Sequence, residues 1–441
     1  MSDPARLFGT DGVRGVAGEF LTAELALSLG RAAAEIASGD APQVLIVRDT
    51  RESGEMLEAA LAAGIAAAGG HALLGGVLPT PGAALLVRRY GFDVAAVVSA
   101  SHNPYRDNGI KFFGRSGTKI GDDQEREIER IVARSATEAE SADGRVRELH
   151  GAGADYLREL HSRFAGLDLS GRRILLDCAN GATYRVAPEI FRRLGAHVEA
   201  LAAEPDGRNI NDGVGSTHVE RLGERVAAGG FDAAFAFDGD GDRVLAVDRR
   251  GVVVDGDELI ALAALHLREG GRLRGDGVAV TVMTNYGFHA AMQAAGVNVA
   301  TTPVGDRHVL AELLERDWAL GGEQSGHIID TGFVPSGDGV AAALLTLEAL
   351  GDRDLADRDA MRKLPQRLVN VRVGDREALD GAEPVWEAVD EESKALDGRG
   401  RVLVRPSGTE PLVRVMVEAP DEDECEQVTR RLVEVVEREL A

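Results

Sequence analysis

The sequence predicts an α/β chain: three tandem α/β domains with mixed, largely parallel sheets, then a C-terminal α+β domain. Two observations carry this. Short apolar runs alternate with longer amphipathic stretches, the order that builds parallel sheets with helices on their faces, and the order recurs three times. After residue 363 it gives way to closely spaced strand patterns with helices between and after them, the mark of an antiparallel sheet.

In the first unit, QVLIV (43–47) leads into the helical GEMLEAALAAGIAAAG. HALLGG, a helix opened by PTPGAALLVRRYG and the strand DVAAVVSA follow. The second unit repeats the pattern with RRILLD (172–177), AHVEAL and DAAFAF (232–237), and the third with GVAVTVMT, VNVATT and WALGG. The repeat is one of pattern and not of residue identity. RLVNVRV, a helix, RVLVRP, LVRVMVE and a final helix complete the chain. The charged stretch EAESADGRVRE (138–148) and the segment GDRDLADRDAMRKLP (351–365) read as boundaries. The expected domains are therefore 1–148, 149–253, 254–363 and 364–441.

A chain of 441 residues exceeds what one hydrophobic core organises, and a 44% hydrophobic share supports several buried cores. The net charge of −24 argues against nucleic acid or an anionic membrane as partner. It also requires a locally positive pocket for any anionic substrate. Only Cys178 and Cys425 occur, too few for a disulfide framework or a cysteine zinc site. The opening MSDPARLFGTDGVRG has no signal-peptide pattern, and no uninterrupted apolar run reaches membrane-spanning length. A soluble cytoplasmic protein is expected.

In parallel α/β sheets, ligands gather beyond the carboxyl ends of the strands, and each unit places its most polar motif there. In FDGDGDRVLAVD, Asp238, Asp240 and Asp242 alternate with glycines. Three carboxylates so close repel one another unless a cation neutralises them, and hard oxygen donors suit Mg²⁺ or Ca²⁺. An EF-hand is excluded: counted from Asp238, Arg243 falls at its glycine position and Arg249 at its bidentate glutamate, between strands and not helices.

SASHNPYRDNGIKFFG (99–114) holds Ser101, His102 and Lys111, one of only four lysines. Alone, Ser101 reads equally as a helix cap, a turn residue or a nucleophile. The G-x-S-x-G elbow of α/β-hydrolases is absent. Beside a divalent metal, a serine suits phosphoryl transfer better than acyl transfer. Lys111 and Arg243 add positive charge, with Lys111 able to exchange a proton if its pKa is depressed. His102 reads as orienting the serine, exchanging its proton, or simply bonding a turn.

GGEQSGHIID places Glu323 and Ser325 along an expected extended segment, where both would face sugar hydroxyls; His327 shares that face as a candidate general base. In RPSGTEPLVRV, Ser407, Gly408 and Thr409 form a tight turn able to cradle a phosphate, with Arg405 and Arg414 to clamp it. A G-x-x-x-x-G-K-[ST] motif is absent, which excludes an ordinary P-loop kinase.

SASHNPYRDNGIKFF, DGDGDR, GEQSGH and RPSGTEPLVRVMVE resemble, in this order, the four active-site loops of the α-D-phosphohexomutases, and the resemblance runs the length of the chain. It implies a central cleft and a last domain of TATA-binding-protein-like fold. It implies a phosphoserine at Ser101, with Mg²⁺ on its phosphate and on Asp238, Asp240 and Asp242. Glu323 and Ser325 would hold sugar hydroxyls, and Arg405, Ser407, Gly408, Thr409 and Arg414 the non-reacting phosphate. Arg14, Lys111, Arg243 and His327 would line the reacting end, with His102 beside the serine. The segments FGTDGVRG and INDGVGSTH, with Gln324, resemble the branch acting on glucosamine phosphates.

The reaction so implied converts glucosamine 6-phosphate to glucosamine 1-phosphate for amino-sugar nucleotide synthesis, with a sugar 1,6-bisphosphate as intermediate or activator. The partner is a small sugar phosphate, without nucleic acid or membrane, and the protein is a monomer or homodimer. The rivals are a mutase for mannose or glucose phosphates, a metal-dependent phosphatase and a non-catalytic sensor.

Overall fold

A computed structural model describes residues 6–37, 39–134, 143–407 and 411–440. The apolar runs are strands. Val94–Val98, Ala233–Phe237 and Gly277–Thr281 are buried along their whole lengths, which is why they read as continuous hydrophobic stretches and not as alternating ones.

The first sheet has six strands, in the order Val13–Val16, Asp107–Gly114, Val94–Val98, Gln43–Arg48, His71–Val77 and Arg145–Glu148. Strand Val94–Val98 runs parallel to Gln43–Arg48 on one side and antiparallel to Asp107–Gly114 on the other. The helices Ala23–Ile36 and Gly54–Ala67 pack against each other, and the Thr22 hydroxyl caps the first by accepting from Leu25 N. Part of the expected boundary at 138–148 is instead structure: Arg145–Glu148 adds to the sheet beside His71–Val77, while 138–142 lie outside the described residues.

The second sheet is ordered Val253–Val254, Val244–Asp248, Ala233–Phe237, Arg173–Asp177, His197–Leu201. Ala233–Phe237 is parallel to Arg173–Asp177 and antiparallel to Val244–Asp248. The third repeats the arrangement, with Leu320–Gly322 parallel to Gly277–Thr281 and antiparallel to Ile328–Asp330. Helix Gly339–Leu350 is buried over most of its length; Asp338 caps it through Ala341 N and accepts the Tyr156 hydroxyl at 2.9 Å.

The chain divides into two compact units, 1–282 with 300–358, and 283–299 with 359–441. The three sheets above belong to the first, apart from residues 298–299 of the third sheet's edge strand Asn298–Thr302. The second carries an antiparallel sheet, Gln366–Arg372, Leu412–Glu418 and Arg401–Pro406 in that order, with helices Glu383–Leu396 and Glu422–Leu440 closing a core around Val385, Val415, Val417 and Val428. Residues 283–299, which lie within the expected third domain, pack with this unit. Asn285 exchanges hydrogen bonds with Leu364, and Tyr286 N donates to the Glu418 carboxylate. The multi-domain α/β architecture is as the sequence predicts.

Candidate active site

In each of the first three sheets, a polar connection joins a parallel strand to its antiparallel neighbour. Ser101 lies after Val94–Val98, the aspartate trio after Ala233–Phe237, and Glu323 to His327 after Leu320–Gly322. Antiparallel pairing pins both ends of each connection, so the loops are short and held at the strand ends.

Ser101 is in a turn, so it caps no helix. It is 2% exposed, and its backbone sits in the left-handed region at φ 51°, uncommon for any residue but glycine. Its hydroxyl donates to Asp238 Oδ2 at 2.5 Å, and its N–H donates to the Ser99 hydroxyl at 3.0 Å. His102 Nδ1 lies 3.4 Å from Ser101 Oγ. Burial, with Arg243 and Arg14 nearby, pushes the His102 imidazole below its ordinary value, so it is neutral near pH 7.

Asp238, Asp240 and Asp242 are buried, with carboxylate oxygens within 4.8 Å of one another. Burial and the two neighbouring carboxylates push Asp238 well up. Burial works against the charge of Asp242 too, but His327, Lys111 and Arg243 outweigh it and hold that carboxyl low. Asp240 Oδ2 accepts from Lys111 Nζ at 2.8 Å and from the Thr80 hydroxyl at 2.6 Å, while its Oδ1 has no hydrogen-bond partner. A dense set of hard oxygens, with Asp240 Oδ1 and Asp242 Oδ1 both lacking a hydrogen-bond partner, and a carboxyl driven towards protonation by burial and its neighbours fit a divalent oxygen-loving cation.

Lys111, 1% exposed, also lies 3.0 Å from Asp11 and 3.8 Å from Asp242. Burial alone would push its ammonium down, but Asp11, Asp240 and Asp242 outweigh it and hold it above the usual lysine range. The condition on which its proton exchange depends, a depressed pKa, is not met in this arrangement, where Lys111 is held as a cation. Arg14, from strand Val13–Val16, pairs with Asp11. Arg243 N donates to Asp238 Oδ1 at 3.1 Å, and its side chain lies 3.9 Å from Asp242.

Glu323 to His327 form a tight turn and not an extended segment. Glu323 N donates to His327 O and Gly326 N to Glu323 O. The short strands on either side pair antiparallel, which forces the reversal. Ser325 is exposed at the turn, and the Glu323 carboxylate accepts from Gly305 N at 3.0 Å. His327 is buried. Its Nε2 accepts from Gly337 N at 3.1 Å, which puts its proton on Nδ1, 3.7 Å from Asp242. Any side chain at Gly337 would collide with that ring, a Cβ falling 2.5 Å from it. Burial opposes the imidazolium, but Asp242 and Asp306 outweigh it and raise its pKa. The lone pair of His327 Nε2 is thus occupied by Gly337 N, and a general-base role would require that hydrogen bond to be given up.

A cavity of about 440 Å³ is lined by Arg14, His102, Asp242, Arg243, Glu323 and His327, together with Asp11 and Asp306. Ser101 and Lys111 lie behind its wall. Asp11, Thr80, Lys119 and Asp306 are absent from the sequence-derived set. Lys119 joins Asp11 to Asp306, and its rarity as one of four lysines was the one available signal.

In the second unit, Arg405 and Arg414 stand directly opposite each other on paired antiparallel strands. Like charges so placed repel, and burial together with Arg414 pushes the Arg405 guanidinium below its ordinary value. Ser407 Oγ and Arg414 Nε are buried without hydrogen-bond partners. Ser407 N donates to Leu412 O at 2.8 Å, pinning the hairpin, and Gly408 and Thr409 lie outside the described residues. Two facing guanidiniums and an orphaned hydroxyl suit an anion.

Comparison with known proteins places this site in a class. Phosphoglucomutase/phosphomannomutase family models match throughout: alpha/beta/alpha domain I over residues 5–139, domain II over 154–251, domain III over 255–368 and the C-terminal domain over 368–435. A crystal structure of a phosphoglucomutase/phosphomannomutase family protein from Burkholderia thailandensis shares the fold, with a TM-score of 0.81 at 24% identity over 99% of this chain and 98% of that one. By its fold and by these family models the chain is a phosphohexomutase. It is 51% identical to the phosphoglucosamine mutase of Moorella thermoacetica, over 98% of this chain and 99% of that protein. It is 50% identical to that of Desulforudis audaxviator, over 98% and 97%. It belongs to the phosphoglucosamine mutase family.

Proposed function

We propose that this chain interconverts glucosamine 6-phosphate and glucosamine 1-phosphate, with Ser101 as the phosphoryl carrier. The observation that carries the reading is the Ser101 hydroxyl, held 2.5 Å from Asp238 inside a trio of buried carboxylates. A phosphate on Ser101 would add about 1.5 to 2 negative charges beside that trio. Mg²⁺ held by Asp238, Asp240, Asp242 and the Ser101 phosphate would neutralise that charge and polarise phosphorus.

The chain's own residues do the rest. Lys111 contributes a permanent positive charge, and Arg14 and Arg243 add charge at the cavity wall. With Asp238 taken up by the metal, His102, neutral and 3.4 Å from Ser101 Oγ, would hold or return the serine proton. Ser101 gives its phosphoryl group to the O1 oxygen of the sugar, the serine Oγ–phosphorus bond breaking as the O1–phosphorus bond forms and the O1 proton passing, by way of His102, to Oγ. The resulting 1,6-bisphosphate presents its 6-phosphate to Ser101, the O6–phosphorus bond breaking as the Oγ–phosphorus bond re-forms and the Oγ proton passing to O6, and the 1-phosphate leaves. Glu323 and Ser325 take the sugar hydroxyls. Arg405, Ser407, Gly408, Thr409 and Arg414 take the phosphate that is not reacting.

The reading includes a cytoplasmic monomer or homodimer that needs neither nucleic acid nor membrane. Among the described residues, no helix is long and apolar enough to cross a membrane.

The test is isomerase turnover on glucosamine, glucose and mannose 6-phosphates with Mg²⁺ and a bisphosphate activator, beside intact-mass analysis. Preference for the amino sugar, phosphate on Ser101, and loss of both activity and phosphate in Ser101→Ala are expected. Preference for mannose or glucose phosphate would overturn the choice of sugar. Near-normal activity of Ser101→Ala would overturn the mechanism.

A further inference from the structure

The segment INDGVGSTH (210–218) has no part in the chemistry above, yet it reaches the serine loop. Asn211 Nδ2 donates to the carbonyl oxygens of Ser101 at 2.9 Å and Asn103 at 3.1 Å. The fully buried Arg51 donates to the same two carbonyls, each at 2.9 Å, and also to the carbonyls of Pro104 and Asp107 and to Asp49. Each carbonyl at 101 and 103 therefore accepts two donors, the number its lone pairs allow.

Asn211 is itself held firmly. Its φ of 56° lies in the left-handed region that asparagine tolerates better than most residues, and its N–H donates to Ala179 O at 2.9 Å. The same segment is tied down further along, where Gly215 N donates to Asp177 Oδ2 at 2.8 Å. Gly239, between two of the site aspartates, makes room for the contact: a Cβ there would lie 2.5 Å from Ser101 O and 2.7 Å from Asn211 Nδ2. Ser101 occupies a left-handed conformation that a non-glycine residue keeps only where its surroundings over-determine it. The donors from Asn211 and Arg51 supply that constraint.

We propose that Asn211, together with Arg51, is a positioning residue for phosphoryl transfer: it holds the 101–103 backbone in the turn that aims Ser101 Oγ at the carboxylate trio. The inference rests on the phosphoserine reading above. Without Asn211's donors, the loop relaxes, transfer to the sugar slows and water competes. In that side reaction a water oxygen bonds to phosphorus as the Ser101 Oγ–phosphorus bond breaks, a water proton passes to Oγ and inorganic phosphate leaves. Sugar binding, made by other residues, is unaffected.

The test uses the full-length chain as Asn211→Gly, which keeps left-handed freedom and removes both donors, and as Asn211→Asp, similar in size but without an N–H donor. Folding is checked first by circular dichroism. Wild type and variants are then phosphorylated with glucose 1,6-bisphosphate and Mg²⁺, and kcat, KM and inorganic phosphate release are measured. The expected result is a kcat lower by at least about tenfold, a KM within about twofold of wild type, and more inorganic phosphate per turnover in both variants. A kcat within about twofold of wild type for Asn211→Gly overturns the inference, as does a loss that appears in KM alone. Failure of Asn211→Gly to fold overturns it too, because the residue then serves folding. Wild type that takes up no phosphate on Ser101 refutes the phosphoserine reading itself; phosphorylated wild type with wild-type-like variants refutes only the role of Asn211.

Discussion

Replacing Lys111 by methionine removes one buried cation and leaves its carboxylate partners in place. Its Nζ lies 2.8 Å from Asp240, 3.0 Å from Asp11 and 3.8 Å from Asp242. At an effective dielectric constant of about 20, unit charges at the Asp240 separation attract by about 6 kcal/mol before desolvation is counted. Removing one partner of a buried pair costs about 3–5 kcal/mol, because the other charge stays buried and uncompensated. We therefore expect Lys111→Met to lower the stability of the first compact unit by about 3–5 kcal/mol. The chain has two tryptophans, Trp318 in the first unit and Trp386 in the second, so urea unfolding followed by fluorescence in a Trp386→Phe background reports the first unit alone. Adding Asp240→Asn completes a double-mutant cycle with an expected coupling of at least about 1 kcal/mol. Mg²⁺ should restore part of the loss in Lys111→Met by binding the native carboxylates, and less in the double variant. A Lys111→Met chain within about 0.5 kcal/mol of its background, with additive single effects, would refute the reasoning.

Asp338 should impose a pH slope on stability. Burial pushes its carboxyl from 3.8 up to about 6, so the native state holds a proton that the unfolded chain has already released. Its contribution is therefore fully present below the unfolded value and is lost as pH rises through about 6. Asp338→Asn lacks this slope, so the variant should gain about 2 kcal/mol relative to wild type between about pH 4 and about pH 7. Urea midpoints at the two pH values measure it, and parallel curves would contradict it. Burial pushes the Cys178 thiol up to about 12, and Cys425 is buried as well. Neither should react with a disulfide reagent at about pH 8 until the chain unfolds; rapid stoichiometric labelling of native protein would count against this.

What the sequence made legible is what local pattern encodes. Continuous apolar runs such as DAAFAF became fully buried strands because a central parallel strand has no solvent face. The placement of Ser101 and the aspartates at strand ends followed from the same periodicity. Two kinds of feature escaped. The turn at 323–327 was read as extended, since polar alternation alone does not reveal that two three-residue strands pair and reverse the chain there. Partners distant in sequence also went unseen. Thr80 is 160 residues from Asp240 and Asn211 is 110 from Ser101, and only packing of separate α/β units brings them together. The assignment of 283–299 to the second compact unit is of the same kind, set by bonds such as that of Asn285 to Leu364.

The polar connection that joins a parallel strand to its antiparallel neighbour occurs once in each of the first three sheets, and chemistry has been distributed among these equivalent slots. One slot offers a hydroxyl, one a carboxylate trio, and one a carboxylate beside an imidazole. The second slot needs only the six residues between Phe237 and Val244 to change from scaffold to function. A backbone that presents the same socket three times can acquire a new role by rewriting a few loop positions while its cores stay untouched. Loop exchange at these sockets, with strand lengths preserved, is accordingly the most economical way to redirect such a chain towards another substrate.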